Sequence, residues 1–436
     1  MERFFRLKEM GTDLRTEILA GIVTFMTMAY ILFVNPLILS EAGVPREGAV
    51  LATAIGAGLM TIAMGLVTNY PLALASGMGL NAVVAYGLVM TAGFTWQQAM
   101  AVIFVEGLII TLLVLTNVRE AVMNAIPINL KRAIGVGIGL FIAFIGLRNA
   151  GVVVASDATL VTLGDLTDPK VLLALFGLVI TLLLMVRGVR GALLLGILAT
   201  TAAALLTGQA QLPDAWISLP TAASFSTIGA LDLSVVLQVS AWSWVFALLM
   251  TDFFDTMGTV VAVGSEAGFL RPDGTIPRLK QVLLIDSLAA MAGGFLGASS
   301  ITTYIESASG VGEGGRTGLA SVVTGLLFLL SIFLAPAVGV VPAQATAPAL
   351  IIVGFLMMTV VREIDFGDLD EGLPAFVTLL GMPLTYSIST GIGLGFVTYC
   401  LLKLFRGKVR EVHPLLWVVA VLFALDLFNL WERILG

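Results

Sequence analysis

The chain has 436 residues, of which 58% are hydrophobic and 11% charged, and its mean hydropathy is +1.05. Soluble globular domains carry about a quarter charged residues, so this composition indicates an integral membrane protein, for which the net charge of -6 says little about partners. Cys400 and His413 are the only residues of their types, which excludes an intrachain disulfide, a Cys/His zinc site and a histidine-based proton relay. Carboxylates are therefore the candidate proton carriers, and we expect neither a cofactor nor a metal.

Apolar runs of about 17 to 25 residues, each long enough to cross a ~30 Å hydrocarbon core as a helix, recur along the chain. The charged residues 1–16 lack the pattern of a signal peptide and are interpreted as a cytoplasmic tail. The predicted spans form two sets of seven: 17–39, 48–68, 71–91, 97–116, 131–148, 170–187 and 190–208, then 242–264, 279–298, 301–313, 316–337, 345–361, 372–387 and 388–405. A further segment, Pro414 to Leu430, either spans the membrane or lies along its interface, because Asp426 interrupts it.

Lysine and arginine are distributed as the positive-inside rule requires if the N-terminus is cytoplasmic. Eighteen of them then face the cytoplasm, three (Arg46, Arg148 and Lys170) face outside, and Arg433 is unassigned. The basic stretch from Lys403 to Arg410 is a candidate contact for anionic lipid headgroups. We therefore expect a multi-pass protein of the cell (plasma) membrane, with residues 362–371 in a solvated cytoplasmic loop.

A duplication is indicated by two related motifs. SEAGV, beginning at Ser40, ends the first span and SEAGF, beginning at Ser265, ends the eighth, at an offset of 225 residues. This offset pairs positions as follows: Thr27 with Asp252, Tyr30 with Asp255, and Asn81 with Glu306. Because seven is odd, the halves insert in opposite orientations, which is the inverted-repeat plan of many secondary transporters.

Four acidic residues within predicted spans are the candidates for a functional site, because an ionisable side chain at bilayer depth costs about 2.5 to 3.5 kcal/mol on insertion scales and usually faces a cavity or a partner. They are Asp252 and Asp255 in the eighth span, Glu306 in the tenth and Glu106 in the fourth. Positions i and i+3 share a helix face, so both aspartates can point into one site. For each acid taken alone, the alternative to a role in the site is a structural one, in which it caps a helix or bonds to a neighbouring helix. For Glu106, structural pairing is favoured over a role in transport.

The third and tenth spans are interrupted. ASSITTYIESASGVGEGG, from Ala298, and ASGMGLNAVVAYG, from Ala75, are rich in Gly and Ser, and the former is too polar for a lipid-facing helix. Irregular backbone at membrane depth persists only where protein or water covers it, and two such segments in corresponding positions indicate a midplane binding site. Asn81 and Glu306 lie in the first turns of the predicted half-helices.

These motifs, with GIVTFMTMAYILFVNP from Gly21 and TDFFDTMGT from Thr251, resemble the AzgA-like adenine, guanine and hypoxanthine permeases of the nucleobase-ascorbate transporter superfamily. The resemblance covers essentially the whole chain. It implies an all-α polytopic membrane protein with about 14 transmembrane helices in a 7+7 inverted repeat. Spans 1–4 and 8–11 then form a core domain, and spans 5–7 and 12–14 a gate domain. Residues 17–208 and 242–405 hold the two repeats, 209–241 connect them, and 406–436 carry the extra apolar helix.

The resemblance also implies purine binding between the half-helices and the eighth span, with proton symport. The expected substrate-binding residues are Glu306, Asp252, Asp255, Asn81, Thr27 and Phe25. The first three are also the proton-coupling candidates, because a carboxylate accepts hydrogen bonds whereas a protonated carboxyl donates one. Phe25, Phe254 and Tyr30 are candidates for stacking on the base. The uracil and xanthine branch carries a histidine shortly after its eighth-span acid, whereas this chain has Thr259 in that neighbourhood.

Other functions remain open from the sequence. A xanthine/uracil carrier or an organic or inorganic anion carrier of the same fold is the alternative, although clustered acids disfavour an anion. An intramembrane aspartyl hydrolase is a remote one, because such enzymes need aspartates on different helices and a GxGD motif, which is absent. We expect no enzyme activity. The expected partners are a purine nucleobase, protons and membrane lipid, with a homodimer as an option and no role for nucleic acid.

Overall fold

The computed structural model describes residues 2–116, 126–213, 215–269, 271 and 276–428, apart from the side chains of Arg3, Val239, Phe254 and Asp426. Outside the described residues lie Arg119, Arg433, the Phe254 ring and the end of the segment 414–430. The predictions made for these residues therefore stay predictions.

Regular structure is mostly helical. The α-helices, numbered in chain order, are α1 (Glu2–Phe5), α2 (Leu14–Met28), α3 (Ile31–Glu41), α4 (Arg46–Thr68), α5 (Met78–Ala82), α6 (Trp96–Leu115), α7 (Ile128–Asn149), α8 (Pro169–Val186), α9 (Ala192–Leu206), α10 (Val239–Glu266), α11 (Leu279–Leu296), α12 (Ser307–Gly312), α13 (Gly318–Leu330), α14 (Ala335–Val340), α15 (Ala343–Met358), α16 (Leu369–Thr385), α17 (Ile388–Phe405) and α18 (Pro414–Leu427). A π-helix, Val83–Thr91, continues α5, and short 3-10 helices cover Ala222–Phe225, Leu233–Leu237, Ser331–Leu334, Thr359–Glu363 and Val409–Glu411.

Several helices begin at side chains that cap them. Asp13 accepts from the amide of Thr16 at the start of α2, and Thr95 and Gln98 form a reciprocal capping box at α6. Such caps satisfy amide donors that the first helical turn leaves unpaired. Polar residues thus set where the apolar runs become helices.

Within the described residues, ten helical stretches are long and apolar enough to cross a membrane. They are Leu14–Glu41, Arg46–Thr68, Trp96–Leu115, Ile128–Asn149, Pro169–Val186, Ser240–Glu266, Leu279–Leu296, Gly318–Val340, Ala343–Glu363 and Ile388–Phe405. Shorter apolar helices occur at Met78–Thr91, Ala192–Leu206 and Pro414–Leu425. The chain is a multi-pass membrane protein, while the count of fourteen spans and the repeat remain predictions.

The third and tenth predicted spans meet at a short antiparallel strand pair. Strand β1 (Leu74–Ser76) pairs with β4 (Ile301–Thr303), in the register Leu74↔Thr303 to Ser76↔Ile301, and all six residues are buried. A separate hairpin pairs β2 (Val153–Ser156) with β3 (Leu160–Leu163). Each central strand precedes a short helix, α5 or α12. Non-helical backbone is tolerated here because each strand satisfies the other's amide and carbonyl groups.

Helices α4 and α13 pack with their backbones in contact. A Cβ atom added to Gly65 would lie 2.3 Å from the carbonyl oxygen of Gly318, and one added to Gly325 would lie 2.6 Å from that of Gly58. The two contacts are seven residues apart on each antiparallel helix. Small residues that allow close backbone approach are typical of helix association in membranes.

Charged residues predicted to lie on the cytoplasmic side pair with one another. Asp370 is fully buried, and its carboxylate lies 3.0 Å from Arg406 Nε, 3.0 Å from Lys408 Nζ and 3.6 Å from Lys403 Nζ. Burial acts to raise the pKa of Asp370, but the hydrogen bond from Lys408 and the charges of Arg406 and Lys403 outweigh it and lower that pKa. The prediction of a solvated acidic loop is therefore wrong for Asp370, because the basic stretch folds back onto it.

Candidate substrate site

Glu306 lies where β4 gives way to α12, as the N-cap residue of that helix. Its side chain is half-buried, and its Oε1 accepts a hydrogen bond of 2.8 Å from the hydroxyl of Tyr30. Tyr30 sits in the break between α2 and α3 and is 1% exposed. The site thus joins an interruption in the first span to one in the tenth.

Asp255 lies near this pair on α10. It is close enough to Asp286 and Glu306 for their charges to interact, and also to Tyr30. Unlike Asp252 on the same helix and Asp286 beside it, Asp255 is exposed. The structure therefore brings together two of the three predicted acids, Asp255 and Glu306. Tyr30 lies close to both of them.

An exposed face of α10 leads away from Asp255. Gly258, Ala262 and Ser265 are also exposed and follow Asp255 at three- and four-residue steps, which places them on one side of the helix. A Cβ atom added to Gly258 would meet no atom within 4 Å. Because a carboxylate within a span needs water or a partner, this face suits an aqueous cleft better than lipid.

Asp252 occupies a different environment from Asp255, although it lies one turn earlier on α10. Its side chain is fully buried, whereas Asp255 is exposed. The two were expected to share one face and one site. Their contrasting burial assigns Asp252 to the protein interior and Asp255 to the open face.

Asp286 is a buried acid that the sequence interpretation missed. It lies on α11 and accepts hydrogen bonds from Thr256 Oγ1 at 2.7 Å, from the Thr303 amide at 3.1 Å and from Thr302 Oγ1 at 3.4 Å. These bonds link α10, α11 and β4 around the site. The signal was present, because Asp286 interrupts the apolar run LLIDSLAAM in the ninth predicted span.

Asn81 belongs to a fully buried polar network. Its Nδ2 donates to Asn35 Oδ1 at 3.0 Å, and Asn35 in turn donates to Thr53 Oγ1 at 2.8 Å and to Ser76 Oγ at 3.0 Å. Within the described residues, the Oδ1 atom of Asn81 has no hydrogen-bond partner. Asn35 was not predicted, and its network ties the third predicted span to the first and second.

Thr27 and Phe25 lie on α2 with other contacts. The Thr27 hydroxyl donates to the carbonyl of Thr24 at 2.9 Å and also reaches that of Val23. The Phe25 ring packs edge-on against Phe328, with 5.0 Å between ring centroids. The side chains of Thr27 and Phe25 are both half-buried. Glu106, the remaining acid singled out in the sequence, lies on α6 and is fully buried.

The arrangement offers both hydrogen-bond donors and acceptors to a ligand beside the exposed face of α10. An ionised carboxylate only accepts, a protonated one can donate, and a tyrosine hydroxyl does both. The hydroxyl of Tyr304, close to Glu306, donates to the carbonyl of Ser76 and so joins the two interrupted segments again. A planar heterocycle with adjacent donors and acceptors matches this set of groups.

Comparisons with known proteins agree on the family. The sequence model of the Permease family matches residues 15–394. The guanine/hypoxanthine permease PbuO of Bacillus subtilis (strain 168) is 44% identical over 437 residues, which cover 98% of this chain and 100% of that protein. The adenine permease AdeP of Escherichia coli (strain K12) is 43% identical over 427 residues, covering 98% and 96% of the two chains.

Solved structures share the fold at low sequence identity. The transmembrane domain of a cyanobacterium bicarbonate transporter, BicA, has a TM-score of 0.64 at 15% identity, covering 86% of this chain and 97% of that one. The murine Solute Carrier 26 family member A9 anion transporter has a TM-score of 0.63 at 12% identity, covering 90% and 69%. These likenesses concern the fold alone, whereas the relatives at over 40% identity span nearly the whole chain. The chain therefore belongs to the Permease family and, within it, to the AzgA-like purine permeases of the nucleobase-ascorbate transporter superfamily.

Proposed function

We propose that the protein is a proton-coupled symporter that imports the purine nucleobases adenine, guanine and hypoxanthine across the cell membrane. The observation that carries this proposal is the group of Glu306, Asp255 and Tyr30 beside an open face of α10. The relatives named as guanine/hypoxanthine and adenine permeases support the choice of substrate class.

The chemistry of the acids supports the proposal of proton coupling. Asp255 and Glu306 are close enough to repel one another when both are ionised, so the site favours holding a proton. A protonated carboxyl donates to a ring nitrogen or carbonyl of the base, while the other acid accepts from a ring N–H. Binding of the proton and of the base are then linked, and each strengthens the other.

The architecture proposed for transport is fourteen spans in two inverted repeats, with core and gate domains as given by the family resemblance. The pairing of β1 with β4 supports it, because both strands precede short helices at corresponding places in the two halves. The cytoplasmic ion pairs support the proposed orientation with the N-terminus inside, because Asp370 and Arg406 were assigned independently to the same side. The helix Pro414–Leu427 is the extra apolar helix that follows the second proposed repeat.

An anion carrier of the same fold is disfavoured by the site itself. Asp286 adds a further carboxylate next to Asp255. A bound anion would be repelled by the negative charge of these carboxylates, whereas a neutral base would not. A xanthine or uracil carrier differs only in which base fits and is separated by the uptake assay below.

The direct test is uptake of radiolabelled adenine, guanine and hypoxanthine into proteoliposomes with an imposed inward proton gradient, with xanthine, uracil and bicarbonate as competitors. Concentrative uptake should need the gradient and should be inhibited by the three purines. Accumulation that survives collapse of the pH gradient and the membrane potential, without dependence on sodium, would contradict proton coupling. Labelled bases that never accumulate would contradict the proposed substrate class.

Glu306→Gln tests the site. Glutamine still accepts from Tyr30 but presents an amide donor where the carboxylate accepts, so a donor faces the donor of the base. An unpaired buried group costs about 1 to 3 kcal/mol, and base affinity by calorimetry should fall roughly ten- to a hundredfold. Glu363→Gln, which changes a carboxylate paired with Arg132 at 3.0 Å outside the site, should keep the parent affinity. Equal affinity in the two variants would remove Glu306 from the site.

A further inference from the structure

We propose that Tyr30 is a positioning residue for substrate binding, whose hydroxyl holds one oxygen of Glu306 and thereby presents the other oxygen to the base. The inference rests on the proposed function and deepens it. Its basis is the 2.8 Å hydrogen bond between Tyr30 and Glu306 Oε1, which joins residues 276 positions apart.

The backbone fixes Tyr30 where the first span breaks. Its carbonyl accepts from the amides of Phe33 at 3.1 Å and Val34 at 3.0 Å as α3 begins, and its side chain is 1% exposed. A buried tyrosine hydroxyl needs a partner, and Glu306 supplies it. Tyr30 therefore reaches Glu306 from a rigid support rather than from a mobile surface.

Glu306, in contrast, is held only locally apart from Tyr30, through a hydrogen bond from its own backbone amide. It is the N-cap residue of α12, but its carboxylate makes no capping bond to that helix, and its neighbour Ile305 is 49% exposed. A glutamate side chain has three rotatable bonds, and fixing them on binding costs conformational entropy. The bond from Tyr30 removes part of this cost before the ligand arrives.

The bond also determines what the ligand meets. The hydroxyl donates to Oε1, so the Oε2 atom of the ionised carboxylate is left as the acceptor for an N–H group of the base. The site therefore selects a ring that presents an N–H beside an acceptor for the neighbouring protonated carboxyl. Without Tyr30 the carboxylate can rotate, and this single orientation is lost.

Tyr30→Phe deletes the hydroxyl and keeps the ring. We expect the KM for hypoxanthine uptake into proteoliposomes to rise about tenfold, as for loss of a hydrogen bond to a charged group, while Vmax per reconstituted transporter stays close to that of the parent. A merely structural role would lower Vmax or the reconstituted amount and leave KM unchanged. That outcome would overturn the inference.

Tyr86→Phe is the matched control. Tyr86 is also a buried tyrosine whose hydroxyl donates to a carboxylate, Glu41 Oε2 at 3.2 Å, but it has no contact with Glu306. Its KM should equal that of the parent. A KM that rises equally in Tyr86→Phe and Tyr30→Phe would show a general effect of losing a buried hydroxyl and would count against the inference.

A double-mutant cycle separates action through Glu306 from direct contact with the base. On thermal unfolding of the ligand-free protein, Tyr30→Phe should lower Tm in the parent but not in a Glu306→Ala background, and this readout needs no residual uptake. Additive effects would overturn the inference. The inference fails while the proposed function stands if the parent protein takes up bases and Glu306→Gln loses affinity, but Tyr30→Phe keeps the parent KM. If the parent takes up no base, the proposed function fails.

Discussion

Asp286 and Glu306 are carboxylates of the same neighbourhood with different partners. Asp286 is fully buried and accepts from Thr256, Thr303 and Thr302, so its charge is met by protein donors. Glu306 is half-buried and takes its donor from Tyr30. At the scale of residues, Asp286 is suited to hold the site together, whereas Glu306 retains capacity to accept from a ligand.

Substitution of Asp286 should therefore reduce stability first. Asp286→Ala leaves buried donors of three residues without their acceptor, at about 1 to 3 kcal/mol for each group that stays unpaired. Asp286→Asn keeps the shape and one oxygen, and because hydroxyl groups can rotate to suit an amide, it should cost only about 1 kcal/mol. In thermal unfolding in detergent, the Tm of the parent should be highest, that of Asp286→Asn lower and that of Asp286→Ala lowest. Equal Tm values for the two variants would contradict this role.

The sequence allowed the acids of the eighth span to be predicted because a charge in an apolar run is conspicuous, and it allowed Glu306 to be predicted because that residue lies in an interrupted segment. It did not separate Asp252 from Asp255, since helical spacing places both on one face and only the packing around α10 buries one of them. Nor did it predict the link from Tyr30 to Glu306, which depends on contacts between distant parts of the chain. An aromatic ring within an apolar run carries no such signal.

At the scale of elements, the interrupted segments and the close helix pair were predictable to different degrees. Gly and Ser in two corresponding stretches predicted irregular backbone, but not that it would pair as β1 and β4, because that pairing needs both halves to be assembled. The contact between α4 and α13 was not predicted. Glycine is frequent throughout this chain, so Gly65 and Gly318 are not conspicuous among the 47 glycines.

Gly65→Ala should destabilise the protein. Its new Cβ would lie 2.3 Å from the Gly318 carbonyl oxygen and 2.9 Å from Ser321 Cβ, so α4 and α13 would have to separate. Overpacking typically costs about 1 to 3 kcal/mol, and the upper end is expected because the obstacle is backbone. Gly135→Ala on α7, where a Cβ would meet no atom within 4 Å, is the matched control and should leave Tm unchanged or slightly raised. Similar Tm losses in both variants would contradict this account of the helix contact.

At the scale of the whole molecule, an ion pair crosses the proposed boundary between gate and core. Arg190, in the connection between α8 and α9, contacts Glu313, which follows α12. The same connection approaches α2, since a Cβ on Gly191 would lie 3.1 Å from the carbonyl oxygen of Met26. If transport moves the core relative to the gate, these contacts have to separate in each cycle.

A disulfide at this position should stop transport. In a Cys400→Ser background, the Arg190→Cys/Glu313→Cys variant should take up bases under reducing conditions, lose uptake on oxidation and regain it with reductant. The uptake of the two single-cysteine variants should be insensitive to the oxidant. Initial uptake rates measure transport. The extent of cross-linking is read from gels after the chain has been cleaved between the two positions. Full uptake by a fully cross-linked protein would show that this boundary does not open.

The pairing of β1 with β4 also has a consequence for biosynthesis. The ribosome makes Ser76 long before Ile301, and at about 5 to 20 residues per second the interval is on the order of ten seconds or more. During that time the backbone groups of residues 74–76 lack the partner that later satisfies them, in surroundings where an unsatisfied group is costly. Protein or water must therefore cover residues 74–76 until then, and the two halves of the chain can close onto each other only after residues 301–303 have been made.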